Sequence, residues 1–418
     1  MLLDRNLIEI SKSPWSSRLL FVEKAPEDRK ILDNDGIPGQ KLEGKPAKLR
    51  LVVDFRNVNS KLKQLNSNWP APTIKDILNE LHEAAYLSTL DVTQGFFSYP
   101  ITESSKQYTA FTYGDTVLQF RRLPQGLSIS SKIMQFKMKS FQFKHQLKGV
   151  TVYIDNILLF GPTKEIYEQR LEAFFKACVS EGIKLKPNKC HHYIHKKFII
   201  FGFEVDLEKH TIAPEEAKVK KIRQLIAPNT KKKCKGFLGA VGYFSDMLPN
   251  LQKDLSPLNA ICGQNSRFIW NNDCQKAFDK VKVDLTKLPL IYILRPDKQI
   301  YVSTDACISM SISYSLWQKD DIDNKLYPIK HNSHKLSAGE KTLSQFESEA
   351  LATIYCINKE QALLSFGNMV LYTDARGLSS KGFPVALYVL IFCLYNISNI
   401  CCCTTTWATL SNCEIRDG

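Results

Sequence analysis

The sequence of 418 residues lacks the marks of several protein classes. It contains no Cys-x-x-Cys pair, and its first residues do not form the apolar run of a signal peptide. We therefore expect reduced cysteines and an intracellular protein, in the cytoplasm or nucleus, rather than a secreted, disulfide-bonded one. The apolar run over residues 385–395 is shorter than the ~20 residues that a membrane helix needs, so we expect no stable membrane partner.

Acidic residues are scarce relative to basic ones. Forty-two Asp and Glu face 56 Lys and Arg, which gives a net charge of +14. This excess fits either a solvated basic surface or a polyanionic partner such as nucleic acid. With 44% hydrophobic and 23% charged residues, the composition excludes a disordered chain, a collagen-like fibre and a coiled coil. The length predicts two to four domains.

Local patterns predict several elements. Two short β-branched runs around a polar dipeptide predict a hairpin over residues 150–160, and apolar spacing predicts a helix from about Lys164 to Glu181. Another helix is predicted to start at Pro214, and Thr230 is predicted to cap the one after it. Lysines near this cap oppose the helix dipole, so either a phosphate partner or a solvated face would explain them. They are Lys231, Lys232, Lys233 and Lys235.

Two carboxylates occupy unusual positions. Asp91 ends one apolar strand-like run, and Asp155 interrupts another. A lone buried carboxylate is costly unless it is paired or binds a cation. A pair of carboxylates at two strand ends would suit two metal ions that assist nucleotidyl or phosphoryl transfer. The alternative is that both are ordinary turn residues.

Short motifs follow one another in a fixed order along most of the chain. They are SPWSS (13–17), FVEK (21–24), RLVVDFRNVN (50–59), LDVTQGFF (90–97), LPQGL (123–127), YIDN (153–156), KC (189–190), FGF (201–203), GFLGAVGYF (236–244), TDA (304–306), ESEALA (347–352) and YTD (372–374). In these motifs the chain resembles the reverse transcriptase and RNase H region of gypsy-type LTR retrotransposons and retroviruses. The resemblance covers roughly residues 5–378.

The resemblance implies an α+β multidomain fold. It implies a right-hand polymerase, with fingers, a palm built on an antiparallel sheet and a helical thumb, followed by a truncated RNase H-like α/β domain. We expect the fingers and palm over residues 1–206, the thumb and tether over 207–295, and the incomplete RNase H-like domain over 296–378. A non-homologous, apolar and Cys-rich tail is expected over 379–418. The chain would then be a fragment of a longer Pol polyprotein.

The resemblance also implies catalytic and metal-binding roles. The polymerase centre would comprise Asp91, Asp155 and Asn156, and the two aspartates would hold Mg²⁺ or Mn²⁺. The RNase H centre would comprise three metal-binding carboxylates. Glu347, two residues before Glu349, is the alternative candidate for the one in the predicted helix. The three are Asp305, Glu349 and Asp374.

Four residues are expected to contact the incoming dNTP. By resemblance, Arg50 would pair with the triphosphate, Phe96 would lie under the sugar, and Gln125 and Gly126 would line the nucleotide. The alternatives are that Phe96 belongs to the core and that Arg50 pairs with Asp54. Gly202 and the four lysines near Thr230 would contact an RNA or DNA template–primer duplex.

Two departures from the family pattern weaken the expected activities. Asn156 stands where the family has the second Asp of Tyr-x-Asp-Asp, so the centre loses a negative charge and polymerisation should be impaired. A fourth RNase H carboxylate is not recognisable, so that module should be defective. The rival interpretations are an inactive nucleic-acid-binding remnant and a membrane-tethered protein that uses residues 385–400. The sequence says nothing about the oligomeric state.

Overall fold

A computed structural model describes residues 2–23, 49–62, 73–263, 266–288, 290–321, 323–364, 369–373 and 413–417. The chain divides into two compact units, residues 1–195 and 196–418. Among the residues described, no helix is long and apolar enough to cross a membrane. The run 385–400 lies outside the described residues, as do most of the predicted tail and Asp374.

The described part of the first unit combines three sheets with five α-helices. Its strands are β1 (Ile8–Ile10), β2 (Arg18–Glu23), β3 (Leu49–Asp54), β4 (Tyr86–Asp91), β5 (Phe111–Tyr113), β6 (Thr116–Phe120), β7 (Val150–Tyr153), β8 (Asn156–Gly161) and β9 (His191–Ile194). Its helices are α1 (Arg56–Leu62), α2 (Ile74–Asn79), α3 (Glu103–Lys106), α4 (Ser130–Lys144) and α5 (Lys164–Glu181). The hairpin predicted over 150–160 and the helix predicted over 164–181 are therefore confirmed.

The predicted palm is a four-stranded antiparallel sheet in the order β7-β8-β4-β9. Helices α4 and α5 supply the other half of its core, where Met134, Met138 and Phe174 are almost fully buried. Alternate residues of β7 and β8 point to these helices, because side chains of a strand alternate between its two faces. This packing fixes the ends of β4, β7 and β8, where the candidate catalytic residues lie.

The second unit begins with a small sheet, continues through helices and ends in a five-stranded sheet. Its strands are β10 (Lys197–Ile200), β11 (Phe203–Asp206), β12 (Thr211–Pro214), β13 (Ile291–Tyr292), β14 (Ile300–Cys307), β15 (Ser311–Lys319), β16 (Leu326–Lys335), β17 (Met369–Thr373) and β18 (Cys413–Asp417). Its helices are α6 (Glu216–Arg223), α7 (Lys231–Gly242), α8 (Leu251–Asp254), α9 (Ser256–Ile261), α10 (Asn272–Asp284), α11 (Gln345–Lys359) and α12 (Gln361–Leu364).

Helix starts in this unit follow the sequence only in part. The side chain of Thr230 accepts a hydrogen bond from the backbone of Lys233, so the predicted cap of α7 is confirmed. The start predicted at Pro214 is wrong, because Pro214 is the last residue of β12 and α6 begins at Glu216. Proline is tolerated at the end of a strand, where its missing N–H breaks no ladder.

The division between the units falls at 195/196, whereas the predicted palm–thumb boundary is at 206/207. Strands β10 and β11 pair with β12, and β12 pairs with β13 at Ile212 and Ile291. Residues 197–206 therefore belong to a sheet that is closed by a strand from much later in the chain. All of the predicted domain boundaries, including the one at 206/207, remain predictions.

The five-stranded sheet has the order β16-β15-β14-β17-β18, with α11 packed on β14 and β15. Strands β14, β15 and β16 are antiparallel, whereas β17 is parallel to β14 and β18 is parallel to β17. Strand β18, Cys413–Asp417, lies within the predicted tail and adds a strand to this sheet. It pairs with the outer edge of β17, whose backbone groups would otherwise lack strand partners.

Candidate active site

Strand pairing brings the two palm carboxylates together. Strands β4 and β8 are antiparallel, and their register sets Asp91 opposite Asn156. Asp155 lies in the two-residue turn between β7 and β8, and its carbonyl accepts a hydrogen bond from the backbone of Val92. The β4–β8 register therefore places three predicted residues, 91, 155 and 156, at one edge of the palm sheet.

The turn is held in a costly backbone conformation. Ile154 has φ +59°, a region that a β-branched residue rarely adopts and that costs on the order of 1–3 kcal/mol. Its N–H donates to the side-chain carbonyl of Gln135 at 2.7 Å, and the Gln135 amide donates to the carbonyl of Val152 at 2.8 Å. Gln135 is buried in α4 and was missed by sequence reasoning.

Gln142, seven residues after Gln135 on the same helix, makes a similar hydrogen bond to β7. Gln142 donates to the carbonyl of Val150 at 2.5 Å, so two glutamines seven residues apart bond to β7. Strand β7 is the outer strand of its sheet, and its free carbonyls need partners when buried. A glutamine repeated at i and i+7 on a buried helix face is the sequence signal that would have found them.

Replacing Gln135 by Met is expected to lower the free energy of unfolding of the first unit by about 2–3 kcal/mol. The substitution keeps the side-chain shape but leaves the buried N–H of Ile154 and the carbonyl of Val152 without a partner. Hydrogen exchange over residues 150–158, together with urea denaturation, would measure the effect. Gln142→Met, which removes one bond, should cost about half as much. Equal exchange in all three proteins would contradict this role.

The electrostatics of the site disfavour charge on Asp155. Burial raises the pKa of this carboxyl, and the nearby Asp91 raises it further, whereas Lys189 and a backbone hydrogen bond act in the opposite direction. The Lys189 ammonium lies 3.7 Å from an oxygen of Asp91 and partly balances the negative charge of that carboxylate. Asn156 donates weakly from its amide nitrogen to Asp155 Oδ1 at 3.4 Å.

Asp155→Asn is expected to stabilise the metal-free protein at pH 7. The pKa of Asp155 is higher in the folded than in the unfolded chain, so its favourable contribution is complete below pH ~4 and is lost as the pH rises through the folded pKa. At pH 7 the ionised carboxylate therefore opposes folding. Thermal melts should show a higher midpoint for the variant at pH 7 and equal midpoints at pH 3. Asp115→Asn, at an exposed position, is the control, and a lower midpoint for Asp155→Asn at pH 7 would overturn the assignment.

The loop that carries Gln125 and Gly126 is fixed by a residue that sequence reasoning left without a role. The Asn59 amide donates to the carbonyl of Gly126 at 2.9 Å, and its oxygen accepts from the backbone of Ser128 at 2.8 Å. Gly126 has φ +100°, which favours glycine. Gln125 is exposed beside it and free to meet a ligand.

The remaining two predicted nucleotide contacts, Phe96 and Arg50, also lie in the first unit. Phe96 lies in a 3₁₀ turn over Gly95–Ser98, half-buried against the palm core, so part of its ring contributes to packing and part is accessible. Arg50 lies in β3, and its side chain is outside the described residues. Asp54, its alternative partner, is bound by Arg56 at 2.5 Å, and hydrogen bonds from Arg56 lower the pKa of Asp54 to about 2.

Two of the three predicted RNase H carboxylates are described. Asp305 is exposed near the end of β14, and Glu349 is almost fully buried in α11. Glu349 accepts hydrogen bonds from the backbone of Ala306 at 3.2 Å and from Gln345 at 2.7 Å, so its carboxylate faces the strand that carries Asp305. Strand β17 ends at Thr373, one residue before Asp374.

Glu347, the rival of Glu349, has a different role. It forms a capping box with Ser344 at the start of α11, and it accepts hydrogen bonds from the backbone and hydroxyl of Ser344. These bonds lower the pKa of Glu347. The contacts favour Glu349 as the carboxylate directed to the sheet.

The segment before α9 is tied to the RNase H-like sheet. The Ser313 hydroxyl, opposite Asp305 in the ladder, donates to Asn250 at 2.5 Å. At the sheet edge, the Lys330 ammonium lies 2.7 Å from Glu360 and 4.0 Å from Asp246. All of these charged side chains are largely buried, which makes the pairing costly to break.

In the second unit, Gly202 lies in the turn of the β10–β11 hairpin. It has φ +75°, and a Cβ there would overlap the side chain of Lys218. The carbonyl of Phe201 accepts from Lys218 at 3.2 Å and from the hydroxyl of Tyr243, which follows α7. The Lys218 ammonium also lies 4.4 Å from the centre of the Tyr243 ring. These contacts join the hairpin to the helices after it.

Helix α7 presents both the predicted lysines and an open face. Lys231 is half-buried and donates to the carbonyl of Ser266, whereas the other three predicted lysines are exposed. A Cβ built on any of three glycines meets no described atom within 4 Å; they are Gly236, Gly239 and Gly242. These glycines recur every three residues and follow Lys232 and Lys235 along one face, so a ligand can approach the helix backbone closely there.

Comparison with known proteins identifies two matched segments along the chain. Residues 37–239 match the family described as reverse transcriptase (RNA-dependent DNA polymerase), and residues 270–371 match the RNase H-like domain found in reverse transcriptase. The retrovirus-related Pol polyprotein from transposon 412 of Drosophila melanogaster is 27% identical over 381 residues, which are 90% of this chain and 29% of that protein. The Tf2-7 polyprotein of Schizosaccharomyces pombe is 25% identical over 311 residues, 74% of this chain and 23% of that protein.

Solved structures show the same fold. The foamy viral protease–reverse transcriptase dRH in complex with double-stranded DNA matches with a TM-score of 0.71 and 18% identity, over 100% of this chain and 68% of that chain. The foamy viral enzyme in complex with an RNA/DNA hybrid matches with a TM-score of 0.70 and 19% identity, over 100% of this chain and 52% of that chain. The predicted α+β fold class is thus confirmed.

The chain spans less than a third of the length of the transposon 412 and Tf2 relatives. Its two matched segments occur in the order in which the sequence motifs predicted them. The chain thus carries a segment that matches a reverse transcriptase domain and one that matches an RNase H-like domain, and it is similar to the Pol polyproteins of LTR retrotransposons.

Proposed function

We propose that the first unit is the catalytic part of an RNA-directed DNA polymerase, in which Asp91 and Asp155 are the essential carboxylates. The observation that carries this proposal is the β4–β8 register, which brings residues 64 positions apart in sequence (155 − 91) to one sheet edge. The reaction would join a dNTP to the 3′ end of a primer on an RNA or DNA template.

The donor set fits a hard divalent cation such as Mg²⁺, with Mn²⁺ as a substitute. Asp91 and Asp155 offer oxygen ligands. Burial and, to a smaller extent, the charge of Asp91 raise the pKa of Asp155, and a bound cation would favour its ionised form. When bound, such ions would favour loss of the primer hydroxyl proton and balance the charge on the leaving pyrophosphate. Asn156 can offer an amide oxygen but no charge, and this leaves the site weaker than a three-carboxylate centre.

The chain's own residues would position the reactants. The oxygen of the primer 3′-hydroxyl bonds to the α-phosphorus of the dNTP, and the bond to the β-phosphate oxygen breaks to release pyrophosphate. Gly126 lets a nucleotide approach the backbone, and Asn59 fixes that loop. We propose that Arg50 binds the triphosphate, that Gln125 contacts the nucleotide and that the exposed part of Phe96 supports its sugar.

The nucleic acid would be held mainly through its phosphates. In the second unit, the exposed lysines of α7 and its open glycine face suit close contact with a duplex backbone, and the rigid turn at Gly202 suits contact with a primer end. The foamy viral relatives were solved with double-stranded DNA and with an RNA/DNA hybrid. We propose a template–primer duplex as the partner, inside the cell.

We further propose that Asp305, Glu349 and Asp374 form an RNase H centre that also uses Mg²⁺. The support is the contact of Glu349 with the backbone next to Asp305.

Primer extension on a homopolymer RNA template tests the polymerase proposal. The chain, its Asn156→Asp variant and its Asp155→Asn variant would be compared with Mg²⁺ and with Mn²⁺. Extension by Asn156→Asp, and none by Asp155→Asn, is the expected result. Equal extension by all three would refute the assignment of the site.

A second candidate is a non-catalytic nucleic-acid-binding remnant, and Asn156 is the observation that favours it. This candidate predicts salt-sensitive duplex binding with no dNTP incorporation, even in the Asn156→Asp variant. The same primer-extension series therefore separates the two candidates.

A further inference from the structure

Helix α4 presents an exposed face of alternating lysines and phenylalanines that no part of the polymerase site uses. Lys132, Phe136, Lys139 and Phe143 follow one another at intervals of four, three and four residues, and we call them the Lys–Phe face. Phe143 is 86% exposed and Phe136 is 43% exposed, which is unusual for large aromatic rings. The opposite side of α4 is buried in the palm core, so the face is not needed for folding.

The charge around this face is of one sign. Residues 116–154 contain seven Lys and Arg and no Asp or Glu. Lys137 and Lys144 each follow one of the exposed phenylalanines, so cations flank the two rings on both sides of the helix. Lys144 is paired with Glu181, whereas no described carboxylate lies within ion-pair distance of Lys137 or Lys139.

Other lysines of α4 line a basic cavity of the same unit. The cavity has a volume of about 630 Å³ and is lined by Lys137 and Lys144 together with Arg5, Arg122 and Lys184. Its wall includes Val92 to Gln94, the residues that follow Asp91. A single acidic side chain, Glu181, lines it among the described residues. Helix α4 thus carries basic side chains both on the Lys–Phe face and on the side that lines this cavity, and we call the two surfaces together the basic tract.

We propose that this tract binds single-stranded nucleic acid, separately from the template–primer duplex. Exposed aromatic rings offer platforms for unpaired bases, and lysines on both sides bind the backbone phosphates. A paired helix would hide its bases from the rings, so the aromatic residues favour an unpaired strand. The proposal goes beyond the polymerase function, because it concerns binding at a second surface and requires no catalysis.

The test measures binding of a fluorescent oligouridylate of about 20 nucleotides by anisotropy. A saturating unlabelled blunt hybrid would be present to occupy any duplex-binding site. Replacing Phe136 and Phe143 together by Leu should weaken binding about tenfold, because leucine keeps the apolar surface and removes the stacking ring. Val179→Ala, at an 83% exposed apolar position on α5, should leave it unchanged. Unchanged binding by the double leucine variant would overturn the proposal.

A salt titration provides a second, independent readout. Changing Lys132 and Lys139 to Gln should reduce the slope of log affinity against log salt by roughly 0.7 for each lysine that contacts a phosphate. Lys176→Gln on α5, an exposed lysine paired with Glu172, should not change it. An equal slope in both variants would show that the Lys–Phe face binds no phosphates.

Anionic vesicles that contain phosphatidylserine separate this proposal from a lipid-binding surface. A lipid surface would bind the double leucine variant as tightly as the unsubstituted chain, because leucine inserts as well as phenylalanine. Vesicle binding that survives the leucine substitutions, together with unchanged oligouridylate binding, would assign the face to lipid instead. Failure of primer extension would leave these binding results intact, so the two proposals can fail separately.

Discussion

Asn156→Asp is expected to raise the rate of primer extension with Mg²⁺ about 100-fold, equivalent to roughly 3 kcal/mol of transition-state stabilisation. The structure sets residue 156 opposite Asp91 and next to Asp155, so the new carboxylate would add negative charge at the proposed cation site. The measurement is single-turnover extension of a primer on a homopolymer RNA template. With Mn²⁺ the gain should be smaller, because Mg²⁺ demands nearer-ideal ligand geometry than other divalent cations.

Two comparisons test this prediction, one with a charge-matched control variant and one with the unsubstituted chain. Asn272→Asp, an exposed substitution in the second unit, controls for net charge and should leave extension unchanged. If the chain with Asn156 already extends primers as fast as Asn156→Asp, residue 156 does not limit activity. If neither protein extends a primer while both bind hybrid duplex, the non-catalytic interpretation is favoured.

Exchanging Asp155 and its neighbour Asn156, by Asp155→Asn together with Asn156→Asp, is expected to abolish extension. The exchanged protein keeps the composition and net charge of the original, but its carboxylate moves from the turn to the first residue of β8. The loss relative to Asn156→Asp alone should be at least about 1,000-fold, the scale on which removal of an essential catalytic group acts. The exchange therefore tests whether extension depends on the position of the carboxylate or only on the number of negative charges at the site.

The exchanged protein must be folded for this result to count. Its hydrogen exchange over β7 and β8 should match that of the original, because the bonds from Gln135 reach backbone atoms of residues 152 and 154 rather than the exchanged side chains. Extension at the rate of Asn156→Asp would mean that one carboxylate at either position suffices. The distinction between Asp155 and Asn156 drawn from the structure would then be wrong.

Local patterns predicted the elements of this fold better than their connections. The hairpin at 150–160 and helix α5 emerged from residue spacing, because strand and helix periods are local properties. The helix start predicted at Pro214 was wrong, because proline occurs both in the first turn of helices and at the ends of strands. The fifth strand of the last sheet was missed, because strand pairing between distant segments leaves little trace in either segment alone.

The sequence singled out the two carboxylates of the candidate site but not the residues that hold them and the neighbouring loop in place. Asp91 and Asp155 stood out because charge at the end of an apolar strand is costly, but their proximity rested on resemblance, since register is set by the whole sheet. Gln135, Asn59 and Lys189 were not assigned roles, because ordinary polar residues become informative only when their partners are known. The roles of all these residues in catalysis remain predictions.

The ties between Asn250 and Ser313, and between Asp246 and Lys330, bear on where the RNase H-like module can be cut from the chain. The family match begins at residue 270, after both Asp246 and Asn250. A fragment that starts there would remove Asp246 from the buried ammonium of Lys330 and the amide acceptor Asn250 from the hydroxyl of Ser313. Limited proteolysis should accordingly spare the stretch from 245 to 255, so the autonomous folding unit is longer at its amino end than the homologous segment.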